Sequence, residues 1–308
     1  MITVISGGVG AARFLGGLVQ VVEPTEVTAI GNVGDDLELH GLHISPDLDT
    51  ITYTLAGAIN PDTGWGLAGE TWQAMESLGR YGGATWFNLG DRDLGTHLYR
   101  TQRLTEGATL SEVTAEIIRT WGIDIALRPV TDHRLRTMVT VVGGGEIDFQ
   151  EYFVHRQHSV PVSAVRFDGA DSAAPAPGVL EAIASAELVV IAPSNPLVSI
   201  DPVLAVPGVR DGLVARRDRT VAISPIVAGE ALKGPADRLM RELGHSATVV
   251  GVAELYADLA STLVIDEADV ALADGVEAAG LRCIVAPTIM SDAAASRSLG
   301  ETVLSAFG

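Results

Sequence analysis

The amino-terminal stretch constrains the fold more than any other part of the chain. An apolar run, Ile2-Thr3-Val4-Ile5, enters Ser6-Gly7-Gly8-Val9-Gly10-Ala11-Ala12-Arg13, and the helix-patterned Phe14-Leu15-Gly16-Gly17-Leu18-Val19 follows. A strand that empties through a glycine-rich turn into a helix places bare backbone N–H groups at the positive end of a helix dipole, where a phosphate binds well. The glycines read Gly8-x-Gly10-x-x-Arg13, so an arginine stands where a dinucleotide fingerprint has its third glycine, and a guanidinium can fork onto a phosphate. A P-loop is excluded, because no GxxxxGK followed by Ser or Thr occurs and the single lysine, Lys233, is remote from the glycines in sequence. Gly7, Gly8, Gly10 and Arg13 therefore read as an anion site for a phosphorylated nucleotide, with a purely structural β–α turn as the alternative.

Apolar, β-rich runs bounded by turn residues recur at 2–5, 27–30, 138–142, 162–167, 188–192, 220–224, 248–252 and 283–286, with helix-patterned segments such as 11–22, 235–243 and 253–259 between them. This pattern predicts a doubly wound α/β fold, a mostly parallel Rossmann-like sheet with helices on both faces. The chain is read as one α/β domain, 1–308, carrying a largely helical insertion at 48–121 that holds Trp65, Trp72 and Trp86. Such a block is too long for a loop within a compact domain, so it is expected to cover the C-terminal edge of the strands and form the acceptor side of the site.

A formal net charge of -19 argues against nucleic acid as a partner. No apolar segment approaches the roughly 20 residues that span a bilayer, and the start lacks a basic leader pattern, so no membrane association is expected. The lone cysteine, Cys283, excludes an internal disulfide and a cysteine metal cage and suits a reducing cytoplasm. No GxSxG elbow supports serine hydrolase chemistry.

Beyond the second strand, Gly31-Asn32-Val33-Gly34-Asp35-Asp36 puts paired acids after two glycines, which suits Mg²⁺ held by one or two carboxylates, waters and substrate phosphates. Asp47 and Asp49 follow on the Pro46 turn; one of them reads as a helix cap, and Asp49 joins Asp35 and Asp36 as a candidate metal ligand beside the glycine turn. Within the insertion, Trp86-Phe87-Asn88-Leu89-Gly90-Asp91-Arg92-Asp93-Leu94-Gly95-Thr96-His97 combines rings with hydrogen-bonding groups, as recognition of a flat heterocycle requires. His97 also shares a helix face with Asp93 and Thr101, which gives it a structural reading. Late in the chain, Ser194 and Asn195 leave a buried strand between Pro193 and Pro196, at the sheet edge where open α/β folds bind ligands.

Taken in order, the Ser6–Arg13 turn, Asn32-Val33-Gly34-Asp35-Asp36, Pro46-Asp47-Leu48-Asp49-Thr50, Leu89-Gly90-Asp91-Arg92-Asp93 with Thr96-His97, Ala192-Pro193-Ser194-Asn195-Pro196 and Ser224-Pro225-Ile226-Val227 resemble the 2-phospho-L-lactate transferase family of coenzyme F420 biosynthesis. The resemblance implies transfer from a guanosine diphosphate diester to the deazaflavin Fo, with release of GMP. The arginine- and alanine-rich composition resembles actinobacterial members, which implies a phosphoenolpyruvyl arm and dehydro-F420-0 as product, against a 2-phospho-L-lactyl arm and F420-0. It also implies contacts to Fo from Asp49 and Asn88, joined here by Asp91, Arg92 and His97, and a homodimer. In that reaction Arg13, Mg²⁺ and the glycine-turn amides neutralise the diphosphate, and Asp49 is the candidate proton acceptor. Ser194 and Asn195 join Gly7, Gly8, Gly10 and Arg13 on the donor. The competing reading is a related nucleotide-sugar-binding regulator without catalysis, and an NAD oxidoreductase stands third.

Overall fold

The computed structural model describes residues 1–307. Seven short strands, β1 (Ile2–Ser6), β2 (Val27–Gly31), β3 (Ala126–Pro129), β4 (Leu188–Ile191), β5 (Thr220–Ile223), β6 (Thr262–Ile265) and β7 (Arg282–Val285), form one sheet in the order β7-β6-β5-β4-β1-β2-β3. Every pairing in it is parallel; β1 sets Ile2 opposite Val27 on one side and opposite Leu188 on the other. β1, β2, β4, β5 and β6 are buried along their whole length, because helices cover both faces, and this is why they read as continuous apolar runs rather than alternating ones. The winding direction reverses between β1 and β4, which opens the crevice where folds of this type receive ligands.

Two antiparallel elements stand apart from this sheet. Arg136–Val141, Gly145–Asp148 and Val162–Asp168 form a separate three-stranded sheet with Arg136–Val141 in the middle. The runs at 138–142 and 162–167 thus belong to strands outside the parallel sheet, since the glycine turn after Val141, with Gly143 and Gly145 at positive φ, folds the chain back on itself. A hairpin pairs Leu37–Leu39 with Leu42–Ile44 around His40 and Gly41, both at positive φ, as a two-residue hairpin turn requires. The run at 248–252 is also not a strand. Thr248 accepts a hydrogen bond from the Gly251 amide and caps a helix, Val249–Tyr256, whose valines pack into the core.

The insertion is built mainly of helices: α2 (Pro46–Leu55), α3 (Gln73–Arg80), α4 (Asp93–Thr105) and α5 (Leu110–Thr120), the last started by a capping box between Thr109 and Glu112. Helix α1 (Gly8–Leu18) packs against α2 and the C-terminal helix Ala293–Phe307. Ile44, Met75 and Leu89 make a small satellite core, flanked by Leu37, Leu78, Phe87 and Leu94, so the hairpin and insertion carry apolar packing of their own. The insertion reaches over the strand ends in two places. Gly64 approaches Val9, and Trp86 shares a cleft of about 110 Å³ with Gly34, Asp35 and Asp36. Among the described residues no helix is long and apolar enough to cross a membrane.

Candidate active site

The site grows from the reversal point. Helix α1 starts at Gly8 with no side-chain cap and no acid in its first turn, so its leading amides are free of competing anions from their own helix. Gly8 sits at φ +69, where a side chain would be strained. The next glycine serves packing: a Cβ on Gly10 would run into the Pro193 carbonyl, so the turn after β1 and the turn after β4 touch there. Ser194 Oγ ties the two turns together by donating to the Gly7 carbonyl at 2.6 Å, and Asn195 Oδ1 accepts from the Leu197 amide at 3.0 Å. Both side chains thus hold the crevice wall. Arg13 is exposed one turn along α1, its Nη1 donating to the Met290 carbonyl at 3.1 Å, with no carboxylate partner.

Acids gather on the other flank of the turn. Asp47 accepts from Asn32 Nδ2 at 2.9 Å and from the Gly8 amide, while Asp36 Oδ2 accepts from Ser45 Oγ at 2.7 Å and lies 3.0 Å from His43 Nε2. Asp35 Oδ1 and Asp36 Oδ1 are buried without a partner. Burial, followed by the nearby Asp47, pushes the Asp35 carboxyl well above the usual range. Asp47 is likewise pushed up to about 6, by burial first, with the Asn32 hydrogen bond opposing and the Asp36 charge adding. Burial and mutual repulsion thus disfavour the charged forms of Asp35 and Asp47, and a divalent cation at such a pair would reverse that. Among the described residues no arrangement of three or more His, Cys, Asp or Glu forms a ready-made metal cage. A Mg²⁺ that shares its shell with water and substrate phosphates does not require one.

Asp49 points into an adjacent, drier cluster. It forms a two-pronged ion pair with Arg100 and lies 3.7 Å from His97 Nδ1. His97 Nε2 is 3.4 Å from Asp93 Oδ2, and Tyr53 OH donates to Asp93 Oδ1 at 2.5 Å. Asp49, Tyr53, His97 and Arg100 are all at most 5% exposed. Burial pushes Asp49 upward against the opposing Arg100 and His97 charges, whereas Asp93, though burial raises it, is held low by the His97 and Tyr53 contacts. Thus the structure sets Asp47 beside Asp35 and Asp36, where the sequence pattern suggests Asp49 as the third metal ligand, because Asp49 is turned to Arg100 and His97 instead. Neither aspartate on α2 caps the helix: one serves the glycine turn, the other the ion pair.

The other residues expected from sequence to meet the acceptor lie outside the lining of the acid-bordered cleft. Asn88 is exposed. Asp91 accepts from Thr71 Oγ1 and from the Gln73 and Ala74 amides, which fixes the start of α3, and Arg92 donates to the Ala68 carbonyl at 2.5 Å. Trp86 stacks on His155 with ring centroids 5.2 Å apart and leads into the acid-lined cleft. Arg100 and Tyr53 were not singled out from sequence. The signal available for Arg100 was its helical face, three residues beyond His97 and seven beyond Asp93.

A doubly wound sheet, a glycine turn at its reversal point, flanking acids and an insertion roofing the strand ends define an α/β protein whose candidate site lies in the crevice at the strand ends. Comparison narrows this: residues 2–289 match the family described as 2-phospho-L-lactate transferase CofD, and the chain belongs to that family. It is 44% identical over 309 residues to a phosphoenolpyruvate transferase of Kitasatospora aureofaciens, covering 98% of this chain and 96% of that protein. A phosphoenolpyruvate transferase of Mycolicibacterium smegmatis is 41% identical over 322 residues, covering 100% of this chain and 98% of the relative. A crystal structure of a UPF0052 family member from Bacillus halodurans superposes with a TM-score of 0.65 at 16% identity, covering 98% of both chains, which is a likeness of fold. The chain is accordingly a transferase of F420 biosynthesis that moves a phosphoenolpyruvyl or 2-phospholactyl group. The non-catalytic regulator reading finds no support in these matches.

Proposed function

We propose that the enzyme transfers a phosphoenolpyruvyl group from a guanosine diphosphate diester to Fo. The naming of the relatives as phosphoenolpyruvate transferases favours this arm over the 2-phospho-L-lactyl one. The structural observation that carries the reading is the glycine turn that opens α1, its first amide meeting Asp47, set between the Asp35–Asp36–Asp47 acids and Arg13. In the reaction, a ribityl hydroxyl oxygen of Fo forms a bond to the phosphorus that carries the three-carbon arm. The bond from that phosphorus to the bridging oxygen of GMP breaks, the hydroxyl proton passes to a carboxylate, and GMP leaves with the bond's electron pair.

The turn amides and Arg13 receive the growing negative charge of the leaving phosphate. Asp49 is the proposed proton acceptor and orients the hydroxyl, since a carboxyl raised by burial accepts a proton more readily than a solvated one. Asp35 and Asp47, with Asp36 beside them, fit a Mg²⁺ ion: they are buried, mutually repelling and in part unpartnered. Bound there, the ion would offset diphosphate charge. Trp86 and Asn88 line the approach for the flat deazaflavin. A homodimer in the cytoplasm accompanies this reading, and sedimentation velocity checks the dimer. Mass spectrometry of the product from Fo and each candidate donor tests the function, because the enolpyruvyl and lactyl products differ by two hydrogens.

A further inference from the structure

The chain's single lysine returns to the glycine turn that it is remote from in sequence. Lys233 leads from the short hairpin Ile226–Val227/Glu230–Ala231 toward the helix Ala236–Glu242, and its Nζ donates to the Thr63 carbonyl of the insertion at 3.1 Å. A Cβ on Gly64 would lie 2.5 Å from Lys233 Nζ and 3.8 Å from Val9 Cγ1, so the ammonium stands over the first turn of α1. Partial burial and, next, the charge of Arg13 press its proton affinity below the usual range for lysine. The two cations thus repel across the same turn. Neither has a carboxylate within ion-pair distance among the described residues, although the chain has 39 acids to 20 bases. Cations brought together without a counter-ion are poised to receive an anion, and they stand at the start of α1, where the helix dipole favours the same charge.

We propose that Lys233 is a donor-binding residue that closes on the diphosphate from the side opposite the Asp35–Asp47 acids, paired in this task with Arg13. The proposal rests on the donor site assigned above. Its contact to Thr63 also makes the loop carrying Gly64 part of the same closure, because the ammonium bridges that loop and the bound phosphates. The group is a point charge with three donors, so it can keep the Thr63 carbonyl and still reach a phosphate oxygen.

The test is titration calorimetry with GDP and Mg²⁺ on wild type, Lys233→Ala and Lys233→Arg, with thermal melting as a fold control. Lys233 is exposed, so both variants are expected to melt within a few degrees of wild type. Lys233→Ala is expected to weaken GDP about tenfold and to flatten the salt dependence of binding, while Lys233→Arg stays within about threefold. GDP affinity in Lys233→Ala within twofold of wild type, with unchanged salt dependence, overturns the role of Lys233 and leaves the donor site standing. Failure of wild type itself to bind GDP overturns the donor site and this inference together.

Discussion

At the scale of single residues, stability and chemistry turn on which acids are paired and which are not. Asp49 neutralises a buried arginine, so Asp49→Asn does more than remove a proton acceptor: it strands the Arg100 charge in a dry cluster. The expected cost is about 3–5 kcal/mol of stability together with loss of transfer. Removing both charges with Asp49→Asn/Arg100→Met separates the two effects. The double variant should melt above the single one yet stay inactive, and recovery of transfer in it would remove Asp49 from the chemistry. Asp201 offers a test of burial alone. It has no side-chain partner, and burial, opposed only by Arg210, pushes it to about 6 from 3.8. A folded-state pKa above the unfolded one means that the folded state holds the extra proton, so this group's contribution to stability falls as pH rises from about 4 to about 6 and is level above. Asp201→Asn should therefore raise the melting temperature more at pH 8 than at pH 4, as calorimetry at the two pH values will show; an equal change at both would mean that Asp201 is solvated.

At the scale of elements, the turn after β1 is held by contact as much as by ligand chemistry. Gly10 abuts the Pro193 carbonyl, so Gly10→Val should push the turns after β1 and β4 apart, lowering melting temperature and GDP affinity together. Normal stability with lost GDP binding would instead assign the glycine to the diphosphate alone. By contrast Gly95 lies inside α4 with nothing within 4 Å of an added Cβ, and Gly95→Ala should stabilise by about 0.5–1 kcal/mol in a denaturant melt. How far elements are legible in sequence follows from the same physics. β1, β2, β4 and β5 are buried on both faces and announce themselves as apolar runs, whereas 248–252 has the same β-branched composition and is helical because Thr248 caps it and its valines meet the core. β3 carries Arg128 and Pro129 and so escapes a hydrophobicity reading, and β6 is a four-residue run next to acids. The separate antiparallel sheet differs from the parallel one only in which partner each strand finds, which periodicity does not encode.

At the scale of the whole molecule, the site is assembled from segments that no local pattern links. The glycine turn and the acids at 35, 36, 47 and 49 are visible as local patterns, whereas which of Asp47 and Asp49 stands beside Asp35 is decided only by the fold. The pairing of Asp49 with Arg100 spans 51 positions and that of Lys233 with Thr63 spans 170, and both exist only because the insertion folds back over the strand ends. For a chain of net charge -19 to bind the proposed diphosphate it must concentrate its cations locally, and the glycine turn is where Arg13 and Lys233 come together. Metal dependence is the matching expectation on the acidic flank: EDTA should reduce turnover to background, with Mg²⁺ restoring it, and full turnover in metal-free enzyme verified by elemental analysis would move the charge neutralisation to Arg13, Lys233 and the amides. The proposed transfer itself is directly observable. Purified enzyme incubated with Fo, Mg²⁺ and the enolpyruvyl diester of guanosine diphosphate, followed by liquid chromatography and mass spectrometry, should yield GMP and dehydro-F420-0 in equal amounts. GMP released without a phosphorylated deazaflavin, or no consumption of Fo with either the enolpyruvyl or the lactyl donor, would contradict it.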